Sequence, residues 1–257
     1  MGLSLDGEPG DTYDSAVEKI QSVVSKIDSA HLDELMNEQY RQAGTVAWSS
    51  DEYFASEHGQ RSGKAGLYEI IKDADSKQPA SWWPENESLP SSPARPLAGL
   101  KVIDLTRIIA APSITRGLAE LGASVMRVMS PHITDMSPLH HDLNWGKWNA
   151  YLHLKDEKDK EKLRKLIVEA DVIVDGYRPG VMERLGFGRQ AIFDLVKNRD
   201  RGIIHVRENC YGWHGPWNHR SGWQQISDAV RQRSLHPDAF SAHRVSAAAF
   251  HFHMAKP

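Results

Sequence analysis

The chain has 257 residues and a formal net charge of −3, with 40% hydrophobic and 25% charged residues. This composition excludes a wholly disordered chain, and the near-neutral charge gives no field that would hold a nucleic acid or an anionic membrane. A single cysteine, Cys210, excludes an intrachain disulfide and a thiolate metal cluster. The N-terminus is unlike a signal peptide, and no apolar run approaches the roughly 20 residues of a membrane span. We therefore expect a soluble cytoplasmic protein, with a mitochondrial or peroxisomal location left open.

Residues 1–75 are predicted to form a mostly helical segment that resembles a small domain. Within it, apolar residues recur at helical spacing over residues 14–44 and predict two helices. Ser29 is placed to cap the second helix, and Gly44 is placed to end it.

The next residues predict a strand, a short helix and then a linker. Residues 45–48 are interpreted as a short strand, and Ser49 with Glu52 has the pattern of a capping box that opens a helix. Residues 76–95 are rich in proline and serine, a composition that sustains neither a helix nor a central strand. We interpret them as a surface linker and the clearest domain boundary.

After the linker, residues 96–229 alternate between short apolar runs and amphipathic helices, whereas residues 230–257 contain no glycine and no persistent apolar period. Strands separated by helices of this length predict an α/β fold with a doubly wound parallel sheet, followed by a divergent tail. The predicted strands are residues 101–105, 124–129, 171–175 and 202–206, and the predicted helices are residues 113–121, 156–170 and 190–197.

Ligands of such sheets bind beyond the carboxyl ends of the strands, so the loops there are the candidate sites. The loop after the first strand lacks the glycine pattern of dinucleotide binding, and nothing resembles a P-loop. The loop after the third strand holds Gly176, Tyr177, Arg178 and Arg184. Its glycines free the backbone, its tyrosine offers a flat face for a base, and its arginines can pair with phosphate. A turn followed by a surface helix explains the same pattern and stays open.

Two other groups of residues have a composition that occurs in binding sites. Lys147 lies between Trp145 and Trp148, a candidate ligand platform, although tryptophans in such a segment more often form or cover a core. The adjacent His140 and His141 diverge in direction and lack a third ligand at suitable spacing, so no metal site is predicted.

Residues 96–222 resemble the large domain of the family III CoA-transferases (the CaiB/BaiF family), which also contains the α-methylacyl-CoA racemases. Each signature alone is weak, but their order and spacing extend over half of the chain. The matching segments are PLAGLKVIDLTR (96–107), AELGASV (119–125), LNWGK (143–147), LHLKD (152–156), ADVIVDGYRPGVMERLG (170–186), YGWHGP (211–216) and RSG (220–222).

The resemblance implies a Rossmann-like large domain, a small domain and two chains interlocked in a homodimer. It implies acyl-CoA and a carboxylic acid as substrates, with CoA as a substrate and not a prosthetic group. Lys147 and Arg184 match residues that contact the CoA nucleotide, and Gly176 and Tyr177 match the pair beneath it. Ile109 departs from the family pattern, because some members have a glutamine there.

The resemblance provides no catalytic residue. Family transferases use an aspartate that attacks the thioester, and it lies farther along the chain than Gly222, where this sequence has no matching segment. The racemases need a histidine and an aspartate after that glycine, where this chain has Trp223 and Gln224.

Residues 14–60 loosely resemble the end of the small domain, which suggests a fragment of a longer tandem protein. The sequence thus predicts a CoA-transferase-like protein truncated before the catalytic aspartate. Two alternatives stay open: a non-catalytic CoA-binding and dimerisation module that pairs with a complete relative, and a racemase-like isomerase.

Overall fold

The computed structural model describes residues 2–4, 7–74, 76–79, 81–133, 135–223, 226 and 249–255, the last seven by their backbone alone. Contacts between residues divide the described chain into two compact units. The first contains the residues up to 59 together with 220–226, and the second contains residues 60–219 together with 249–255. The domain boundaries derived from the sequence stay predictions. No helix in the described ranges is long and apolar enough to cross a membrane.

The first unit is helical, as its apolar spacing predicts. Asp28 caps its second helix, because its carboxylate accepts the N–H groups of Ala30 and His31. The prediction of Ser29 as this cap was therefore wrong by one residue. The helices are α1 (Tyr13–Val24), α2 (Ser29–Glu34) with a π-helical turn (Leu35–Gln39), α3 (Ser50–Ala55) and α4 (Glu57–Ser62), which crosses the division between the units.

Two boundaries in this region need correction. The helical stretch ends at Gln39 and not at Gly44, and the predicted strand over residues 45–48 is irregular chain. A strand requires a hydrogen-bonded partner, and residues 45–48 have none in the described sheet. The predicted capping box is confirmed, because Ser49 and Glu52 exchange backbone and side-chain hydrogen bonds at the start of α3.

The second unit is built on a seven-stranded sheet in the order β1-β7-β6-β5-β2-β3-β4. The five neighbouring strands in the order β6-β5-β2-β3-β4 are all parallel to one another. Strand β7 is antiparallel to β6. When these parallel strands are numbered along the chain, their order across the sheet is 3-2-1-4-5, which is the order of Rossmann folds. This order confirms the predicted α/β fold. The strands are β1 (Tyr68–Asp73), β2 (Lys101–Leu105), β3 (Ser124–Met129), β4 (Lys147–Tyr151), β5 (Val172–Asp175), β6 (Ile204–Asn209) and β7 (Ala249–Ala255).

Helices cover both faces of this sheet, so the sheet is doubly wound. One core joins Val102, Val125 and Val174 to Ala111 of α5. Side chains of α7 and α9 pack against the opposite face in a second core. The helices are α5 (Ala110–Glu120), α6 (His140–Leu143) after a 3-10 turn (Ser137–Leu139), α7 (Glu157–Glu169), α8 (Val181–Leu185) and α9 (Arg189–Val196).

Three strands lie where the sequence predicted none. β4 occupies a segment to which the sequence assigned no element, β1 lies in the segment predicted as mostly helical, and β7 lies in the predicted tail. The exposed residues of β1 and the edge position of β4 explain this, because a strand that buries little apolar surface carries a weak sequence pattern. These segments are strands because they form hydrogen-bonded pairs with neighbouring strands of the sheet.

The proline-rich segment has neither helix nor strand in its described residues, as its composition predicts. It is nevertheless partly packed. The Gln78 amide donates hydrogen bonds to the carbonyls of Val196, Arg199 and Arg201 at 2.7–3.0 Å. Trp83 donates from its indole nitrogen to the Ala98 carbonyl at 2.9 Å. The interpretation as a surface linker therefore misses that Gln78 and Trp83 pack within the second unit.

Candidate functional site

The topology of the parallel strands creates a crevice between the carboxyl ends of β2 and β5. The chain leaves β2 toward α5 on one face of the sheet and leaves β5 toward α8 and α9 on the other. Where two neighbouring connections diverge in this way, ligands of α/β proteins bind. The segments after Leu105 and Asp175 therefore form the candidate site.

Gly176 allows the two walls of this crevice to approach each other. A Cβ atom at Gly176 would lie 2.6 Å from the Ala111 Cβ in the first turn of α5 and 3.3 Å from the Thr106 Cβ. The Gly176 N–H also donates to the Leu105 carbonyl at 3.1 Å. A side chain at this position would push the loop after β5 away from α5.

Tyr177 follows in a tight turn closed by the last residue of β5. The Asp175 carboxylate accepts the Tyr177 N–H at 2.9 Å, and the half-buried tyrosine packs against the core on the α7 and α9 face. Burial raises the pKa of Asp175 to about 7, although the Tyr177 N–H and the Arg207 guanidinium at 3.6 Å both oppose that shift. Burial likewise raises the pKa of the Tyr177 hydroxyl.

Arg178 and Arg184 are both exposed in the segment that continues from Tyr177. Gly180 precedes α8 with a φ of 81°, in the left-handed region that favours glycine. One guanidinium nitrogen of Arg184 lies only 3.0 Å from the place where a Gly180 Cβ would be. Four of the five candidate site residues thus lie in one continuous segment after β5, and its two arginines are exposed.

The fifth candidate, Lys147, lies elsewhere. The β-ladder places it level with Val125 of β3 and Val102 of β2, near the amino ends of the strands. Its side chain has no exposed surface. Its ammonium donates to Asp104 Oδ2 at 3.0 Å, to the Pro112 carbonyl at 2.9 Å and to Thr115 Oγ1 at 2.7 Å. Its contact with a nucleotide stays a prediction, and its contacts here are internal.

Lys147 belongs to a buried polar cluster between β2 and α5. Asp104 is fully buried and also accepts hydrogen bonds from the hydroxyls of Thr106 and Thr115. Burial lowers the pKa of Lys147, and the neighbouring Asp104 charge opposes this shift. The sequence carried a signal for this cluster, since an aspartate inside the apolar run KVIDL requires a partner when buried.

A second polar cluster holds the turn after β2, and the sequence reasoning missed it. Asp135 accepts the Ile108 N–H at 3.2 Å and forms an ion pair with the buried Arg127 of β3. Arg127 also donates to the Asn144 side chain at 2.8 Å. An arginine within the apolar strand SVMRVM was the available signal, because a buried guanidinium needs an acidic partner.

Comparison with known proteins now identifies the family. The sequence profile named CoA-transferase family III matches residues 97–231, which is more than half of the chain. This chain belongs to CoA-transferase family III. The matched residues include β2 to β6, the crevice and both polar clusters.

Alignments with two named relatives extend beyond the residues that the family profile matches. Acetyl-coenzyme A transferase nodX of Hypoxylon pulicicidum is 66% identical over 229 residues, which cover 89% of this chain and 39% of that protein. An acyl-CoA transferase of Gibberella moniliformis is 39% identical over 233 residues, covering 90% and 40%. A crystal structure of a CAIB/BAIF family protein from Brucella suis is 26% identical with a TM-score of 0.48, covering 53% of this chain and 39% of that one. The chain thus spans about 40% of the length of these relatives.

Proposed function

We propose that this chain carries the nucleotide-binding part of a CoA-transferase and binds acyl-CoA in the crevice between β2 and β5. The observation that carries the proposal is the pair of exposed arginines, Arg178 and Arg184, in the family-matched segment after β5. The printed names of the two fungal relatives, an acetyl-coenzyme A transferase and an acyl-CoA transferase, support the same substrate class.

The chemistry of CoA suits this segment. CoA carries an adenine and several phosphate charges, and a guanidinium group pairs with phosphate through two parallel hydrogen bonds. We assign the phosphates to Arg178 and Arg184, and the base to the backbone at Gly176 and the exposed part of the Tyr177 ring. The close packing of Gly176 on α5 keeps this segment at the mouth of the crevice.

Within this proposal, Lys147 supports the site without touching the ligand. Its ammonium joins the Asp104 carboxylate of β2 to the Pro112 carbonyl in the first turn of α5. It therefore links the edge strand β4 to the helix that forms one wall of the crevice. We infer that a nucleotide phosphate would have to displace these internal partners to reach it.

The transfer reaction is proposed for the whole protein. A carboxylate of the protein attacks the acyl-CoA thioester, the CoA thiolate leaves, and a mixed anhydride forms; the thiolate then attacks the protein's carbonyl of that anhydride and releases the donor acid as a carboxylate. The acceptor carboxylate attacks the resulting protein–CoA thioester, and the freed thiolate attacks the acceptor carbonyl of this second anhydride, which gives the new acyl-CoA and restores the protein carboxylate. We assign no residue of this chain to that attack. Pairing of two copies, or of this chain with a complete relative, is likewise part of the proposal.

Calorimetric titration of the chain with acetyl-CoA tests the binding site. We expect Arg184→Ala to weaken binding by about 1–3 kcal/mol, or about 5- to 150-fold, because a charge-assisted hydrogen bond to phosphate is lost. Lys165→Ala is the matched control: it removes an exposed cation near the end of α7, at the opposite edge of the sheet.

Three outcomes would contradict parts of the proposal. Absence of acetyl-CoA binding to the unaltered chain would refute the substrate class. Equal affinities for Arg184→Ala and Lys165→Ala would refute the location. Turnover of acetyl-CoA with a carboxylic acid by this chain alone would show that it contains a catalytic carboxylate that we have not assigned.

A further inference from the structure

The turn between β2 and α5 has a strained backbone. Ile108 has a φ of 70°, in the left-handed region that a β-branched residue rarely adopts. A residue in such a conformation persists only where its surroundings hold it there. Ile109 follows directly, half exposed, and leads into α5.

Asp135 holds the turn from the neighbouring chain segment. One oxygen of its carboxylate accepts the N–H of Ile108 at 3.2 Å and that of Met136 at 2.8 Å, and the other oxygen pairs with Arg127. The Arg127 side chain is only 1% exposed, so its position is determined by the core. Burial alone would raise the pKa of Asp135, but the two N–H groups and the Arg127 charge hold it below its ordinary value. The carboxylate is thus charged at neutral pH.

The conformation of this turn determines where α5 begins. Ala111, in the first turn of α5, is fully buried and packs against Gly176, where even one added methyl group would clash. A chain of contacts therefore runs from Arg127 through Asp135 and Ile108 to the glycine that opens the candidate CoA-binding segment. A shift of the turn would move one wall of the crevice.

We propose that Asp135, held by Arg127, is a positioning residue for acyl-CoA binding, because it fixes the left-handed turn at Ile108 and with it the α5 wall of the crevice. This inference rests on the proposed function. Asp135 does not touch the ligand in this scheme. Its removal lowers the fraction of molecules in which the crevice is formed, and the apparent affinity for CoA falls by that fraction.

A double-mutant cycle between Asp135 and Ile108 tests this inference. Asp135→Ala should weaken acetyl-CoA binding about tenfold and speed amide exchange over residues 106–112 by a similar factor. Glycine adopts a positive φ without strain, so in the Ile108→Gly background the same aspartate substitution should cost only about twofold. Asp135→Asn keeps an acceptor for the Ile108 N–H but loses the charge that pairs with Arg127, and it should give an intermediate effect even if Asp135→Ala fails to fold.

Asp171→Ala provides a matched control. The Asp171 carboxylate accepts hydrogen bonds from the Arg201 guanidinium at 2.8 Å and from the Lys101 N–H at 3.0 Å. Like Asp135, it joins an arginine to a backbone N–H, but at the opposite edge of the sheet. We expect this substitution to lower stability without changing affinity or exchange at the turn. Equal effects of the two alanine substitutions on affinity, or an equal cost of Asp135→Ala in both Ile108 backgrounds, would overturn the inference.

The two proposals fail in different ways. If the unaltered chain does not bind acetyl-CoA, the proposed function is refuted, and amide exchange over residues 106–112 alone decides whether Asp135 fixes the turn. If the chain binds acetyl-CoA but Asp135→Asn and Asp135→Ala leave affinity unchanged, only the positioning role is refuted.

Discussion

The two edges of the parallel sheet differ in backbone strain and in the exposure of their charged residues. At the amino edge, charged and amide side chains bind backbone groups. Asp171 accepts the Lys101 N–H, and the Gln78 amide donates to three carbonyls. The Arg199 guanidinium donates to the carbonyls of Val168, Ala170, Arg201 and Gly202. Each of these contacts satisfies a backbone group, as stable interiors require.

At the carboxyl edge, the residues are strained, electrostatically perturbed or exposed. Ile108 has a left-handed backbone, Asp175 has a raised pKa, and Arg178 and Arg184 are exposed. Strain and perturbed ionisation concentrate at functional sites, where they are retained at a cost in stability. The comparison agrees with the proposal that acyl-CoA binds at the carboxyl edge.

The largest expected effect concerns the buried cluster that supports the ligand edge. Lys147→Ala should lower the free energy of unfolding by about 3–5 kcal/mol, because it leaves Asp104 as a buried charge without its cation. Urea denaturation monitored by circular dichroism measures this change. Lys147→Met combined with Asp104→Asn removes both charges and should recover part of the loss. A fully stable Lys147→Ala protein with weakened CoA affinity would instead support direct contact with the nucleotide.

A smaller loss is expected at the amino edge. Arg199→Ala should destabilise the fold by up to about 3 kcal/mol, because four carbonyls, three of them in part-buried hydrogen bonds, lose a charged donor. Acetyl-CoA affinity of the folded protein should stay unchanged. The control is Lys197→Ala, an exposed cation two residues earlier, which should change stability by less than about 0.5 kcal/mol. Loss of affinity in Arg199→Ala without loss of stability would contradict the division between the edges.

The smallest effect is a pH dependence at the ligand edge. Because the pKa of Asp175 is about 7 in the folded chain against 3.8 for the unperturbed group, the folded state binds more protons between these values. Stability should therefore fall as the pH rises through this window, by about 2–3 kcal/mol between pH 5 and pH 8. Urea midpoints at the two pH values measure the slope, which Asp175→Asn should reduce. An identical slope in this variant would assign the dependence to other groups, such as Glu208, whose pKa burial also raises.

Much of the fold was predictable because buried parallel strands carry a strong local signal. The predicted strand over residues 124–129 matches β3 at both ends, and the core of β5 was found as an apolar run. β4 and β1 were missed because most of their residues are exposed, and such segments become strands only through pairing. The Asp28 cap shows that local sequence also leaves a helix start undetermined by one residue. Asp28 and Ser29 are both polar residues that can cap a helix, and only the structure shows which one does.

The candidate site was predictable in part. The segment from Gly176 to Arg184 was found from its motif, and its residues do lie together after β5. The direction of the Lys147 side chain was not predictable. A lysine beside two tryptophans reads as a surface cation, and the partners that draw it inward, Asp104 and Thr115, lie far away in the chain. The strain at Ile108 left no trace in the sequence, because nothing local requires a positive φ there.

The sequence by itself determined the family, four of the five parallel strands and the residues that follow β5, because these depend on local periodicity and motif spacing. The tertiary structure alone decided that Lys147 is buried, that Ile108 is left-handed and that Asp135 holds it. The physical reason is that burial, charge pairing and backbone strain depend on which distant groups become neighbours. Those neighbours exist only after the sheet has formed.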